Sequence, residues 1–249
     1  MKNIDAILNS LKEDNNKSKD PSYFLIHQVR YRFILNKVQS IAKEKKLRIL
    51  DVGCFPYHIG KALEELGHNV YGIASQHEPI TNKNISIINI EKENFPYNNN
   101  FFDIVLFNEV IEHLPQSPIP SLREIYRVSK KGAFIMITTP NITRSINRIM
   151  MLFGKNVMYP ISVFLEDNGK GGNRYHRHNR EYILPELMSI ITAESWQIYE
   201  ANKTISYTPF REKLIPDSPL IHVGKIINYL LMIIFPSLRD TIFVIGKKN

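Results

Sequence analysis

A chain of 249 residues, 43% of them hydrophobic, is long enough to bury a full core, and a globular fold of one domain is expected. Its 32 lysines and arginines against 24 aspartates and glutamates leave a net charge of +8, which favours anionic partners: phosphorylated small molecules, nucleic acid or an acidic membrane face. The single cysteine, Cys54, excludes an intrachain disulfide, and no charged segment leads into an apolar one at the N-terminus, so a reducing, cytoplasmic location is expected.

Ile4, Ile7, Leu8 and Leu11 recur at helical spacing before a polar link from Glu13 to Pro21. A second apolar stripe, Phe24, Leu25, Val29, Phe33, Ile34, Val38 and Ile41, predicts a long helix from Ser22 to about Lys46 that packs on a sheet. Its aromatic and basic residues Tyr23, Arg30, Tyr31 and Arg32 leave a second use open, as a lid over a ligand.

Arg48 to Cys54, RILDVGC, reads as a buried strand running into a tight turn. Asp51 puts a carboxylate at the strand's carboxyl end, the edge where open α/β sheets bind ligands, and Gly53 permits unusual backbone geometry. Next come a helix Ile59–Leu66 closed by Gly67, a strand Asn69–Ile73, a strand Ile85–Ile90 and a strand Phe102–Phe107. A helix Ser121–Val128 follows, with Ser121 and Glu124 at capping-box spacing and Lys130-Lys131-Gly132 as its stop, and then a strand Ala133–Thr138. Strands alternating with helices at this spacing imply βαβ units and a parallel sheet.

The segments ILDVGC (Ile49 to Cys54), NFPYNNNFFDIVLFNEVIEHLP (Asn94 to Pro115) and LREIYRVSKKGAFIMITTPN (Leu122 to Asn141) resemble, in order and spacing, motifs of the class I S-adenosylmethionine-dependent methyltransferases. The resemblance covers roughly Leu47 to Asn141 and implies an α/β, Rossmann-like seven-stranded sheet. Its order would be 3-2-1-4-5-7-6, with the last strand antiparallel and helices on both faces. It further implies S-adenosyl-L-methionine as cofactor. Asp51, Gly53, Cys54 and Phe55 would then line its methionine end, with Asn108 nearby, and Ala74 and Ser75 would lie at the ribose. Glu91 would meet the adenine amine, with Phe95 and Pro96 walling the base.

The chain departs from the family pattern twice. Phe55 and Tyr57 stand where further turn glycines are usual, and the second strand ends Gly72-Ile73-Ala74-Ser75 without the acid that holds the ribose hydroxyls. Ser75, or Glu78 from the loop beyond, would have to serve instead.

Glu109, Glu112 and His113 fall beside the expected methyl position and are the candidate catalytic residues. The methyl of a sulfonium is already activated, so the protein mainly aligns an acceptor and removes its proton, work suited to a histidine. The Glu-x-x-Glu-His spacing also resembles the Mg²⁺ or Mn²⁺ site of some O-methyltransferases, with Glu109, Glu112 and His113 as ligands and His176 or His178 as a residue that could complete the set. A purely structural role for the three is the remaining alternative.

Beyond Asn141, the apolar helix Ile142–Phe153 leads into an insertion at about 154–180, whose basic cluster Arg174, His176, Arg177 and His178 would clamp an anionic acceptor. A helix Glu181–Glu194, a strand Trp196–Ser206 and a last strand Arg239–Gly246 complete the sheet, with a second insertion at about 207–238. The insertion's apolar run Ile226–Phe235 is too short to span a bilayer. Packing or a homodimer contact is preferred for it, with peripheral membrane contact as the alternative.

These observations divide the chain into a helical segment 1–46 and a methyltransferase domain 47–249. The expected activity is O-methylation of a small anionic acceptor, such as a sugar or phosphate-bearing precursor of bacterial surface polysaccharide. Metal-dependent RNA ribose methylation is less favoured because no RNA-binding platform is evident, and a cofactor-free scaffold is the reading from another class.

Overall fold

The computed structural model describes residues 3–15, 21–75, 82–158, 161–162, 177–210 and 218–249. Two helices, α1 (Ile4–Asn15) and α2 (Pro21–Ala42), precede β1 (Arg48–Val52), α3 (His58–Glu65), β2 (Asn69–Ala74), β3 (Ile85–Ile87) and β4 (Phe102–Asn108). A 3₁₀ turn at Ile111–His113 leads to α4 (Ile119–Val128), β5 (Ser129–Pro140) and α5 (Ser145–Leu152). The C-terminal part holds α6 (Leu184–Ala193), β6 (Trp196–Thr204), α7 (Pro219–Ile234) and β7 (Thr241–Lys248).

The seven strands form one sheet in the order β3-β2-β1-β4-β5-β7-β6, with β7 antiparallel to both of its neighbours, as expected. Alternation along the central strands divides the core in two. Leu50, Val52, Val105, Phe107, Ile135, Ile137 and Val244 point to the face covered by α4 and α6, where Leu122, Ile125, Leu187 and Ile191 meet them. Ile49, Ile104, Leu106, Met136, Phe243 and Ile245 point to the other face, against Ile7 and Leu8 of α1, Phe24, Ile34, Leu35 and Val38 of α2, and Leu63 of α3. Burial on both faces explains why these strands read as nearly continuous apolar runs.

Several local expectations are corrected. Ser121 and Glu124 form no capping box: α4 begins at Ile119, the Ser121 hydroxyl donates to the Ile90 carbonyl at 2.8 Å, and Glu124 pairs with Arg127 at 2.6 Å. Glu124 also accepts the Phe95 N–H at 2.7 Å, while Arg127 donates to the Phe95 and Tyr97 carbonyls at 3.0 and 2.9 Å, so the pair fixes the loop before β4. Lys130, Lys131 and Gly132 lie inside β5, which starts at Ser129 and absorbs the irregularity at Gly132, φ +79°. The apolar run in α7 packs on one side only: Met232 is buried and Ile226 and Leu231 are half-buried, whereas Ile227, Leu230, Ile233, Ile234 and Phe235 are exposed.

Candidate functional site

The turn after β1 is anchored to β2. The N–H groups of Gly53 and Cys54 both donate to the Ile73 carbonyl, at 2.8 and 3.1 Å, so neither points freely into the crevice. Gly53 has φ +77°, and a Cβ there would lie 2.4 Å from Cγ2 of Val110, so both conformation and space require glycine. Cys54 is buried against Gly72, whereas Phe55 is exposed. Tyr57, where a glycine is usual, lies across Gly60 and donates to Glu64 at 2.9 Å, which makes it packing for the turn.

Asp51 sits at the end of β1, buried, and its carboxyl is pushed up to about 7 by that burial alone. Asn108 ends β4, and both its side-chain oxygen and nitrogen are buried without a hydrogen-bond partner. Unsatisfied buried amides are rare, and two titratable or polar groups of this kind on adjacent strands fit a polar ligand that supplies the missing partners. β1 and β4 are neighbours in the sheet, and both residues stand at its carboxyl edge.

On the adenine side, Ala74 is buried, with its carbonyl accepting from Ile88 at 3.1 Å, and Ser75 is half-buried at the end of β2. Glu78 lies outside the described residues. Glu91 accepts the Gln116 N–H at 2.9 Å and so links the loop after β3 to the one before α4. Phe95 is in the core and Pro96 is exposed.

The segment after β4 holds the densest polar chemistry. Glu109 adopts φ +54°, an uncommon conformation for a non-glycine residue, and its N–H donates to the Thr138 carbonyl at 2.8 Å. One carboxylate oxygen accepts the Thr138 hydroxyl at 2.9 Å and the other meets Arg30 of α2 at 2.9 Å. Arg30 is almost wholly enclosed, and its Nε has no partner. The sequence places Arg30 in a helix that packs on the sheet or serves as a lid; its partner lies far along the chain, and no local pattern joins them.

Glu112 is fully buried. Its Oε2 accepts the Thr139 hydroxyl at 2.8 Å, its Oε1 is unpartnered, and its pKa is pushed well above the ordinary carboxylate value by burial and then by the charge of Glu109. His113 Nδ1 lies 3.0 Å from the Arg177 carbonyl, and its Nε2 is 3.9 Å from Glu112 Oε1. The His178 ring stacks edge-on to it at 4.9 Å. His178 Nδ1 is in turn 2.9 Å from Glu181, which Arg144 also holds at 2.9 Å.

Ligand atoms of Glu112, His113 and His178 all lie within 4.8 Å of one another. Of the expected ligands, Glu112 and His113 are in this set and His178 completes it, whereas Glu109 faces Arg30 and Thr138 instead. The anion clamp changes as well: Arg177 Nε donates to Asn179 at 3.0 Å and His178 holds Glu181, while Arg174 and His176 lie outside the described residues. A cleft of about 730 Å³ opens beside this cluster, lined among others by Leu114, Gln116, Asn179, Arg180 and Tyr182.

Comparison with known proteins agrees with this geometry. A family model described as a methyltransferase domain matches residues 25–197. A curated relative, the ubiquinone biosynthesis O-methyltransferase of Pseudoalteromonas translucida, is 27% identical over 128 residues, 47% of this chain and 52% of the relative. The chain therefore spans about half the length of the curated relative it matches. Among solved structures, a SAM-dependent methyltransferase from Archaeoglobus fulgidus aligns with a TM-score of 0.54 at 16% identity, covering 91% of this chain and 99% of that one. Another from Thermotoga maritima aligns with a TM-score of 0.55 at 15% identity, covering 92% and 94%. Fold, motif order and family match together lead to one conclusion: the chain belongs to the class I S-adenosylmethionine-dependent methyltransferases.

Proposed function

We propose that the enzyme methylates an oxygen of a small acceptor, with His113 as the base. The observation that carries this reading is the His113 ring, oriented by the Arg177 carbonyl and set against buried Glu112 and His178 at the carboxyl edge of β4. When bound, the cofactor supplies an electrophilic methyl. The residues then have to bind it, hold the acceptor in line and take the acceptor's proton. Asp51 and Asn108 would meet the methionine ammonium and carboxylate, on a turn shaped by Gly53, Cys54 and Phe55. Ala74, Ser75 and Glu91 would lie along the nucleoside. A hydroxyl needs a base far more than an amine does, and the relative from P. translucida is named as an O-methyltransferase.

The acceptor is proposed to enter by the cleft next to Leu114 and Asn179. Two of the four residues expected to clamp an anion, Arg177 and His178, have partners within the protein, so a phosphate-bearing sugar is now the less favoured member of the acceptor class.

The test is methyl transfer from labelled cofactor to a panel of phenols, catechols and phosphorylated sugars, together with calorimetry of S-adenosylhomocysteine. Absence of cofactor binding, or full activity in His113→Gln, overturns the reading.

A second reading has its own support: Glu112, His113 and His178 offer one carboxylate and two imidazoles at metal-ligand spacing, each imidazole steadied by a carbonyl or a carboxylate on its other nitrogen. In that case the three hold Mg²⁺ or Mn²⁺, which would lower the acceptor's pKa. Activity that survives chelation and Glu112→Gln removes it.

A further inference from the structure

The largest unexplained surface is apolar. On α7, Leu220, Val223, Ile227, Leu230 and Ile234 are all half or more exposed, and Ile221, Ile233 and Phe235 widen the stripe. At 100° per residue these positions occupy an arc of roughly 240°, much wider than a single helix-pairing seam. α5 packs beside α7 through Ser145 and Asn228, whose side chains are hydrogen-bonded, and adds exposed Ile149, Met151, Leu152 and Phe153. A soluble surface rarely leaves so many large apolar side chains together without use.

Charge says what the surface faces. From Asn141 to Met158 and from Ser218 to Arg239 the sequence contains no acidic residue. Three cations converge at the end of α7. Arg148 Nη2 donates to the Ser237 carbonyl at 3.4 Å, Lys203 Nζ donates to the same carbonyl at 3.3 Å, and Arg239 donates to the Met232 and Lys203 carbonyls at 3.3 and 2.9 Å. Among the described residues none of the three meets a carboxylate, and burial, followed by the proximity of Arg148, lowers the pKa of Lys203. Lys155 follows α5, exposed. Two copies of the chain joined through this face would bring like charges together with no acid to offset them.

We propose that the joined outer faces of α5 and α7 dock on an anionic lipid bilayer, with Ile227, Leu230, Ile234, Leu152 and Phe153 entering the acyl boundary and Arg148, Lys203 and Arg239 meeting headgroup phosphates. A wide apolar arc edged by cations is the signature of a helix lying in the interface plane. α7 is roughly 24 Å long, short of the hydrocarbon thickness, and no described helix is long and apolar enough to cross a membrane. Both helices leave or enter the sheet at its carboxyl edge, α5 after β5 and α7 before β7, so a docked protein presents that edge to the headgroups. The proposal is independent of which acceptor is methylated.

Vesicle flotation of the full chain tests it. Phosphatidylglycerol-containing vesicles should carry the protein and pure phosphatidylcholine vesicles should not. Ile227→Glu with Leu230→Glu should abolish flotation. Arg148→Gln and Lys203→Gln should each weaken it roughly fivefold. Circular dichroism checks that the variants fold, as expected for the exposed positions Ile227, Leu230 and Arg148. Equal flotation with neutral vesicles, flotation unaffected by either set, or a stable dimer by light scattering that Ile227→Glu with Leu230→Glu converts to monomer, overturns the proposal.

Discussion

Arg30 and Glu109 form a largely enclosed ion pair at 2.9 Å that ties the second helix to the loop after β4. Because Glu109 has left-handed backbone geometry, the pair fixes the start of the segment that carries Glu112 and His113. Removing Arg30 leaves a buried carboxylate without its cation, so Arg30→Met should cost about 3 to 5 kcal/mol in urea unfolding. Adding Glu109→Gln should recover part of that loss; a fully additive double mutant would show that the two residues do not interact.

Asp51 gives the pH dependence of the free enzyme. Its folded pKa of about 7 lies above the ordinary value of 3.8, so between those values the folded state keeps a proton that the unfolded state has released. Stability therefore falls as pH rises through this window, and the whole penalty is present above it. Asp51→Asn should raise the stability of the free protein above pH 7 by about 2 to 4 kcal/mol and change nothing below pH 3.8. Affinity for S-adenosylhomocysteine in the unmodified protein should rise as Asp51 ionises. A pH-independent affinity, measured by calorimetry, would show that the ammonium is held elsewhere.

Asn108 separates ligand binding from folding. Its amide makes no hydrogen bond in the protein, so Asn108→Ala should stay within about 1 kcal/mol of the unmodified chain in thermal melts. Cofactor affinity should drop roughly tenfold or more. A large loss of stability with intact binding is the contrary result.

For His113, the expected signature is kinetic. His113→Gln should lower kcat roughly 100-fold while S-adenosylhomocysteine binding is kept, and the loss should shrink as the acceptor's own pKa falls. A uniform loss across acceptors points to a broken loop instead, since the Asn179 side chain also holds the His113 carbonyl at 2.7 Å.

Gly53→Ala meets both a left-handed backbone and Val110, and should destabilise by about 2 to 4 kcal/mol. Val110→Ala in the same chain removes the contact and should restore the share due to crowding. No recovery in urea unfolding assigns the whole cost to the backbone.

The sheet was legible because burial on two faces leaves a plain mark: Ile49, Leu50 and Val52, or Ile104 to Phe107, are apolar in unbroken runs. The turn at Gly53 was legible for the same local reason. Ser121 and Glu124 misled because capping-box spacing is a local pattern, whereas their partners Ile90 and Phe95 come from a distant loop. Arg30, the turn of His178 toward His113 and the commitment of Glu109 are likewise long-range pairings, set by how helices and loops pack on the sheet. Basic residues near a glycine-rich loop read as an anion clamp until Glu181 and Asn179 are seen to occupy His178 and Arg177.

The packing of α2 bears on any attempt to trim the chain. Phe24, Ile34, Leu35 and Val38 close the face of the sheet built from Ile49, Ile104 and Ile245, and Arg30 projects from the same helix. A polypeptide begun at Leu47 would leave that face wet and Glu109 without its cation, so the aggregation expected of it in expression trials would reflect a missing wall and not a missing accessory.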